Sequence, residues 1–187
     1  AVHAAAEFDA TVIGVDDTEV ALQRLGVWHR DQFQGVVFGI TGSSGKTTTK
    51  EMLRTALAPH GTVVATRGNL NNHLGVPLSL SQLSNRAAFG VFEMGMNAPN
   101  EIRTLSTWVR PHVGIISSIG EAHLEGVGSL EGVAHAKGEL FETLQSESFA
   151  VCPSDVPFVS YLKSVSKDRM RSVGKNSESY CRLLDMQ

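Results

Sequence analysis

The residues with the clearest capacity for chemistry lie in the run Gly39-Ile-Thr-Gly-Ser-Ser-Gly-Lys-Thr47. Glycines let successive backbone N–H groups turn toward one anion. A helix N-terminus adds positive potential, and a lysine beside a hydroxyl serves terminal phosphates and a divalent cation. The strict spacing GxxxxGK[ST] is not met, because Ile40 stands where its first glycine would fall; the run is a shortened TGxxGKT form with Gly42 and Gly45. A glycine turn with a solvated lysine is the other reading. A strand, a turn, a Lys-Thr pair and a helical pattern occur here together, so nucleotide phosphate binding is the stronger inference.

A second lysine draws notice by its place. Over 129–144, Leu130, Val133, Ala134, Lys137, Phe141 and Leu144 fall on one stripe at helical period, with Lys137 in its middle. Such a lysine either snorkels its amine to solvent or has that amine neutralised or modified, since an unpaired buried ammonium is expensive. His135 and Glu139 project from the opposite side and are expected to be solvated.

Glu93 stands near the end of the run AAFGVFEM, and His123 follows VGIISSI. In a parallel sheet, ligands gather at the C-terminal strand edge, where both residues and the glycine turn belong. A carboxylate suits Mg²⁺, while His123 reads equally as a structural residue. Gly68-Asn-Leu-Asn-Asn72 brings amides to the same edge, or is simply an Asn/Gly turn, and His73 and Asn97 are as open. The basic residues of the tail, such as Lys163, Lys167 and Arg171, alternate with Asp168 and Glu178 and read as a solvated face.

Short β-branched runs alternating with helical patterns must position these groups, the mark of an α/β fold in which helices flank a parallel sheet. Strands are expected over 36–41, 62–66, 87–94, 113–119 and 149–152. Helices are expected over 46–58, within 75–83, over 98–109 with Pro99 early in it, and over 129–144 with Ser129 as N-cap. Before these, Val12–Val15 and a helical 20–25 look like the end of an earlier element; after them, a helix over 156–163 and a short strand near 171–173 are weaker.

Composition narrows the classes. In 187 residues, 42% are hydrophobic and 19% charged, and no run of about 18 apolar residues is present to span a bilayer as a helix. Sixteen Lys+Arg against 19 Asp+Glu leave a net charge of −3, without the basic excess of a nucleic-acid binder. Two cysteines, Cys152 and Cys181, form no metal or multi-bridge spacing and suit a reducing cytoplasm. The chain opens on Ala1 rather than Met, as an excised piece would.

In order and spacing, TGSSGKTTTKEML, TRGNLNNHLGVPLSL, FEMGMNAPNEI and GEAHLEGVGSLEGVAHAKGELF resemble the ATP-binding central domain of the Mur ligases, a P-loop NTPase-like fold. The likeness covers roughly residues 10 to 175 and is greatest to the member that adds D-alanyl-D-alanine to UDP-MurNAc-tripeptide, a cytoplasmic, peptidoglycan-building reaction through an acyl phosphate. It implies that Gly42, Ser43, Ser44, Gly45, Lys46, Thr47 and Thr48 hold ATP phosphates, with Lys46 on the outer ones. It implies Mg²⁺ at Thr47, Glu93, His123 and Lys137, with Lys137 carbamylated by CO₂ and Lys46, Lys137 and His123 as the catalytic set. Asn69, Asn71 and Asn72 match the loop facing the UDP-sugar peptide, whereas Ser117 and Ser118 stand where asparagine is common and Asn100 where glycine is common. The balanced charge and the lack of a long apolar run lead to the expectation of no nucleic-acid partner and no membrane insertion, and the chain is expected to be a monomer. The resemblance also implies that 1–30 is the end of a UDP-substrate domain with its linker, that 31–187 is an incomplete ATP-binding domain, and that the C-terminal ligase domain is missing. The alternatives are a sister Mur or folylpolyglutamate-type ligase, or an inactive nucleotide-binding fragment.

Overall fold

The computed structural model describes residues 12–121 and 124–184. Among the described residues seven strands form one sheet in the order β2-β3-β1-β4-β5-β6-β7, and every pairing is parallel. The strands are β1 (Val36–Thr41), β2 (Val63–Ala65), β3 (Phe89–Glu93), β4 (Val113–Ile116), β5 (Phe149–Pro153), β6 (Met170–Gly174) and β7 (Cys181–Arg182). Between and before them run α1 (Thr18–Gln32), α2 (Lys46–Leu57), α3 (Gly75–Leu80), α4 (Glu101–Val109), α5 (Leu124–Val127), α6 (Leu130–Glu142) and α7 (Val159–Val165).

The chain leaves β1 for the β2 side of the sheet and later returns on its other side as β4, so the connections diverge around the C-terminal end of β1. Such a divergence opens a crevice at that edge. Strand alternation sets the two faces. Phe92 and Met94 point into the core shared with Val76, Leu80, Ile102, Leu105, Leu140 and Phe141 of the helical layer. Glu93, between them, faces the opposite side, where α2 crosses and meets it through Lys50.

Several boundaries depart from the sequence expectation. Val12–Val15 forms no strand, and the helix expected over 20–25 extends over Thr18–Gln32, started by Asp17, whose carboxylate accepts from the amides of Glu19 and Val20 at 2.8 and 3.0 Å. Buried Arg30 fastens α1 to the end of α4, donating from Nε to the Val109 carbonyl at 2.6 Å and from Nη2 to that of Arg110 at 2.8 Å. Those carbonyls are among the acceptors a helix end leaves without partners. α4 begins at Glu101 rather than Ala98, because Asn100 takes a left-handed φ of 68° and Pro99 lies in the turn before it. β4 stops at Ile116, after which Ser117 and Ser118 turn toward the glycine run of β1.

α6 starts where expected, with the Ser129 hydroxyl accepting from the Gly132 amide at 3.0 Å. Glu139 corrects the expectation for that helix. It is buried, and its two carboxylate oxygens accept from the amides of Asn100 at 2.7 Å and Arg103 at 2.9 Å, capping the start of α4. His135 is exposed and stacks on Tyr161 with ring centroids 4.2 Å apart. Among the described residues no helix is long and apolar enough to cross a membrane.

Candidate functional site

The glycine run leaves β1 at Thr41 and enters α2 at Lys46, as its sequence requires. Gly42 has φ 153°, and a Cβ there would lie 2.0 Å from Ser117 Oγ; Gly45, at φ 79°, precedes the helix without any side-chain cap. The loop is laced to the segment after β4. The amide of Ser43 donates to the Ser118 carbonyl at 3.1 Å and that of Ser44 to Ser118 Oγ at 2.9 Å. Ser117 Oγ donates to the Ser44 carbonyl at 2.6 Å, while Ser43 Oγ both donates to the carbonyl and accepts from the amide of Gly120, each at 2.9 Å. With the Ser43 and Ser44 amides engaged, the N–H groups at the start of α2, Lys46, Thr47 and Thr48, are those a helix leaves for an anion.

Side chains of three elements meet beside this loop. Lys46 Nζ donates to the Gly42 carbonyl at 2.8 Å. Burial holds its ammonium below the usual lysine range, partly offset by the charge of Glu93. Glu93, 1% exposed, accepts from the Thr47 hydroxyl through Oε2 at 3.3 Å. Its Oε1 lies 3.1 Å from the Lys50 ammonium, an ion-pair distance, yet accepts no well-aligned hydrogen bond. Lys137 is 1% exposed, so its stem does not snorkel, and no hydrogen bond or ion pair joins it to a described residue. Burial, and secondarily the charge of Lys46, pull its pKa down from 10.5 to about 8.

A hydroxyl and an under-coordinated carboxylate are hard oxygen donors, and no group of three His, Cys, Asp or Glu gathers among the described residues. That donor set fits Mg²⁺, which binds one or two carboxylates together with phosphate oxygens and water. His123 lies outside the described residues.

Lys46, where the loop enters α2, also lines a cleft of about 550 Å³ together with Asn71, Asn72, His73, Met96 and Asn97 among others. Asn71 is positioned by its carbonyl, which accepts from the Gly95 amide at 2.8 Å. Asn72 has a structural duty too, its Oδ1 accepting from the amides of Leu74 and Gly75 at the start of α3 at 3.2 and 2.9 Å. Asn69 is exposed and does not line the cleft; its carbonyl accepts from the Asn71 amide at 2.7 Å. Lys50 was not anticipated. With Leu53 and Leu57 it forms an apolar stripe on α2 interrupted by a lysine, the same signal that singled out Lys137.

A parallel sheet whose central strand runs through a glycine loop into a helix, with a lysine, a hydroxyl and a carboxylate at that junction, defines an α/β protein of the phosphate-loop class. The sequence profile of the Mur ligase middle domain matches residues 40–186, and the chain belongs to that family. UDP-N-acetylmuramoyl-tripeptide--D-alanyl-D-alanine ligase of Escherichia coli strain K12 is 40% identical over 149 residues, which is 80% of this chain and 33% of the relative. The crystal structure of MurF from Acinetobacter baumannii superposes with a TM-score of 0.82 at 38% identity, covering 90% of this chain and 38% of that one. MurF ligase from Thermotoga maritima in complex with ADP does so at 0.79 and 32%, covering 90% and 40%. The chain thus spans about a third of the length of the curated relatives it matches.

Proposed function

We propose that this chain carries the ATP-binding part of a cytoplasmic, monomeric ligase that joins D-alanyl-D-alanine to UDP-MurNAc-tripeptide through an acyl phosphate. In this reading 1–30 is the end of a UDP-substrate domain with its linker, and 31–187 belongs to the ATP-binding domain. The observation that carries it is the convergence of Lys46, Thr47 and Glu93 where the glycine loop enters α2, with Lys46 also lining the cleft that bears Asn71 and Asn72. The amides at the start of α2 hold the phosphates, and Lys46 swings from the Gly42 carbonyl to a terminal phosphate oxygen. Asn71 and Asn72 face the peptide carboxylate's side of the cleft, with Asn69 completing their loop. Mg²⁺, held by Thr47 and Glu93 with His123 and a carbamylated Lys137, would neutralise charge on the transferring phosphoryl group.

Calorimetry on the chain tests the nucleotide part of this reading. ADP is expected to bind with one-to-one stoichiometry and more tightly in Mg²⁺ than in EDTA. Absence of heat under both conditions would remove the assignment of the loop.

A further inference from the structure

We infer that Lys50 is a positioning residue of the phosphate site, fixing the Glu93 carboxylate against the glycine loop and tying it to the start of the Gly68–Asn72 loop. The inference deepens the nucleotide reading above and rests on it.

Lys50 is 2% exposed and Glu93 1%, so both charges have left water. Removing either one would strand the other, which costs several kcal/mol unless the structure relaxes. The pair is therefore a constraint on geometry more than a source of stability. Each Glu93 oxygen is engaged by a different residue of α2: Oε1 faces Lys50 Nζ at 3.1 Å and Oε2 accepts from Thr47 at 3.3 Å. Two contacts from one helix fix the plane of the carboxylate, and Lys50 supplies the one that is charged.

Lys50 stands one turn after Lys46, so both project from neighbouring points of the same helix face. Lys46 turns back to the Gly42 carbonyl, whereas Lys50 reaches across to β3 and beyond it to the Gly68 carbonyl at 3.4 Å. Gly68 has φ 55° and opens the loop that carries Asn71 and Asn72 to the cleft. The remaining neighbour, Glu51 Oε1 at 3.3 Å, belongs to a half-exposed side chain and contributes little. One buried ammonium thus joins the phosphate-loop helix, the candidate metal carboxylate and the amide-bearing loop, and nothing in the phosphate-loop pattern requires it.

The test compares the unsubstituted chain with Lys50→Met and Lys50→Arg by calorimetric titration of ADP in Mg²⁺ and in EDTA. Lys50→Met is expected to cut the Mg²⁺-dependent gain in ADP affinity by about 10- to 100-fold, the usual effect of losing a partner behind a metal ligand. ADP affinity in EDTA should stay within about threefold, because the amides at the start of α2 are untouched. Lys50→Arg, which keeps the charge, should restore most of the gain. If Lys50→Met fails to fold, Lys50→Gln is read by the same split. Retention of the Mg²⁺-dependent gain without the ammonium overturns this inference alone, as does an equal fall in both affinities. Loss of ADP binding by the unsubstituted chain overturns the nucleotide reading and this inference with it.

Discussion

Lys46→Ala is expected to slow ADP release by the whole protein by about 10²- to 10³-fold, the effect of removing one preorganised group from a site of developing charge. The structure explains why the fold should survive. Lys46 Nζ makes a single hydrogen bond, to a carbonyl of its own loop, and pairs with no carboxylate among the described residues. Burial depresses its pKa, so the protein holds this ammonium at a cost that a polyphosphate would offset. Removing it relieves that cost, and the thermal midpoint of Lys46→Ala should match or exceed that of the parent. Normal turnover by the variant, measured as phosphate release, would show that the loop does not serve a transferring phosphate.

Lys137→Ala is the second large effect, with a loss of similar size in the same assay. A lysine with a pKa of about 8 has about a quarter of its amine neutral at pH 7.5, against roughly 0.1% for an ordinary lysine. The neutral amine adds to CO₂, forming an N–C bond and releasing a proton, and the product is a carboxylate on a lysine stem. Intact mass spectrometry in bicarbonate should show the addition of one CO₂, absent in Lys137→Ala, and a small carboxylic acid should restore activity to the alanine variant. A buried, unmodified Lys137 in fully active protein would refute the carbamate.

In CO₂-free buffer the same lysine makes a stability prediction. Its folded pKa of about 8 lies below the ordinary 10.5, so between these values the unfolded chain holds more protons and stability rises with pH. Below pH 8 the whole penalty stands, on the order of 3 kcal/mol for a shift of this size. Lys137→Met should abolish the rise and be the more stable protein at pH 7, as read from urea midpoints.

Local signals made much of this architecture legible. β1, its glycine loop and α2 could be read because strand composition, turn residues and helical period change within a few residues, and α6 because Ser129 caps an apolar stripe. What escaped depended on tertiary partners. The start of α4 is set by the left-handed Asn100 and by the Glu139 carboxylate from another helix, so Ala98 and Pro99 looked helical when they are not. Glu139 looked solvated because a helical wheel cannot show that α4 lies against that side. Asn72 reads in sequence as either an amide of the site or a turn residue, and its Oδ1 does accept from the Leu74 and Gly75 amides at the turn into α3. Lys50 carried the mark that exposed Lys137, a lysine on an apolar stripe, but lay in the shadow of Lys46 four residues earlier.

Amide ligation driven by ATP at these residues is tested by ADP release from the whole protein with single substrates omitted. ADP release is expected only when ATP, UDP-MurNAc-tripeptide and D-alanyl-D-alanine are all present, with the UDP-linked pentapeptide formed in equal amount. Release that proceeds without the dipeptide, or that follows another amino acid in its place, would contradict this expectation.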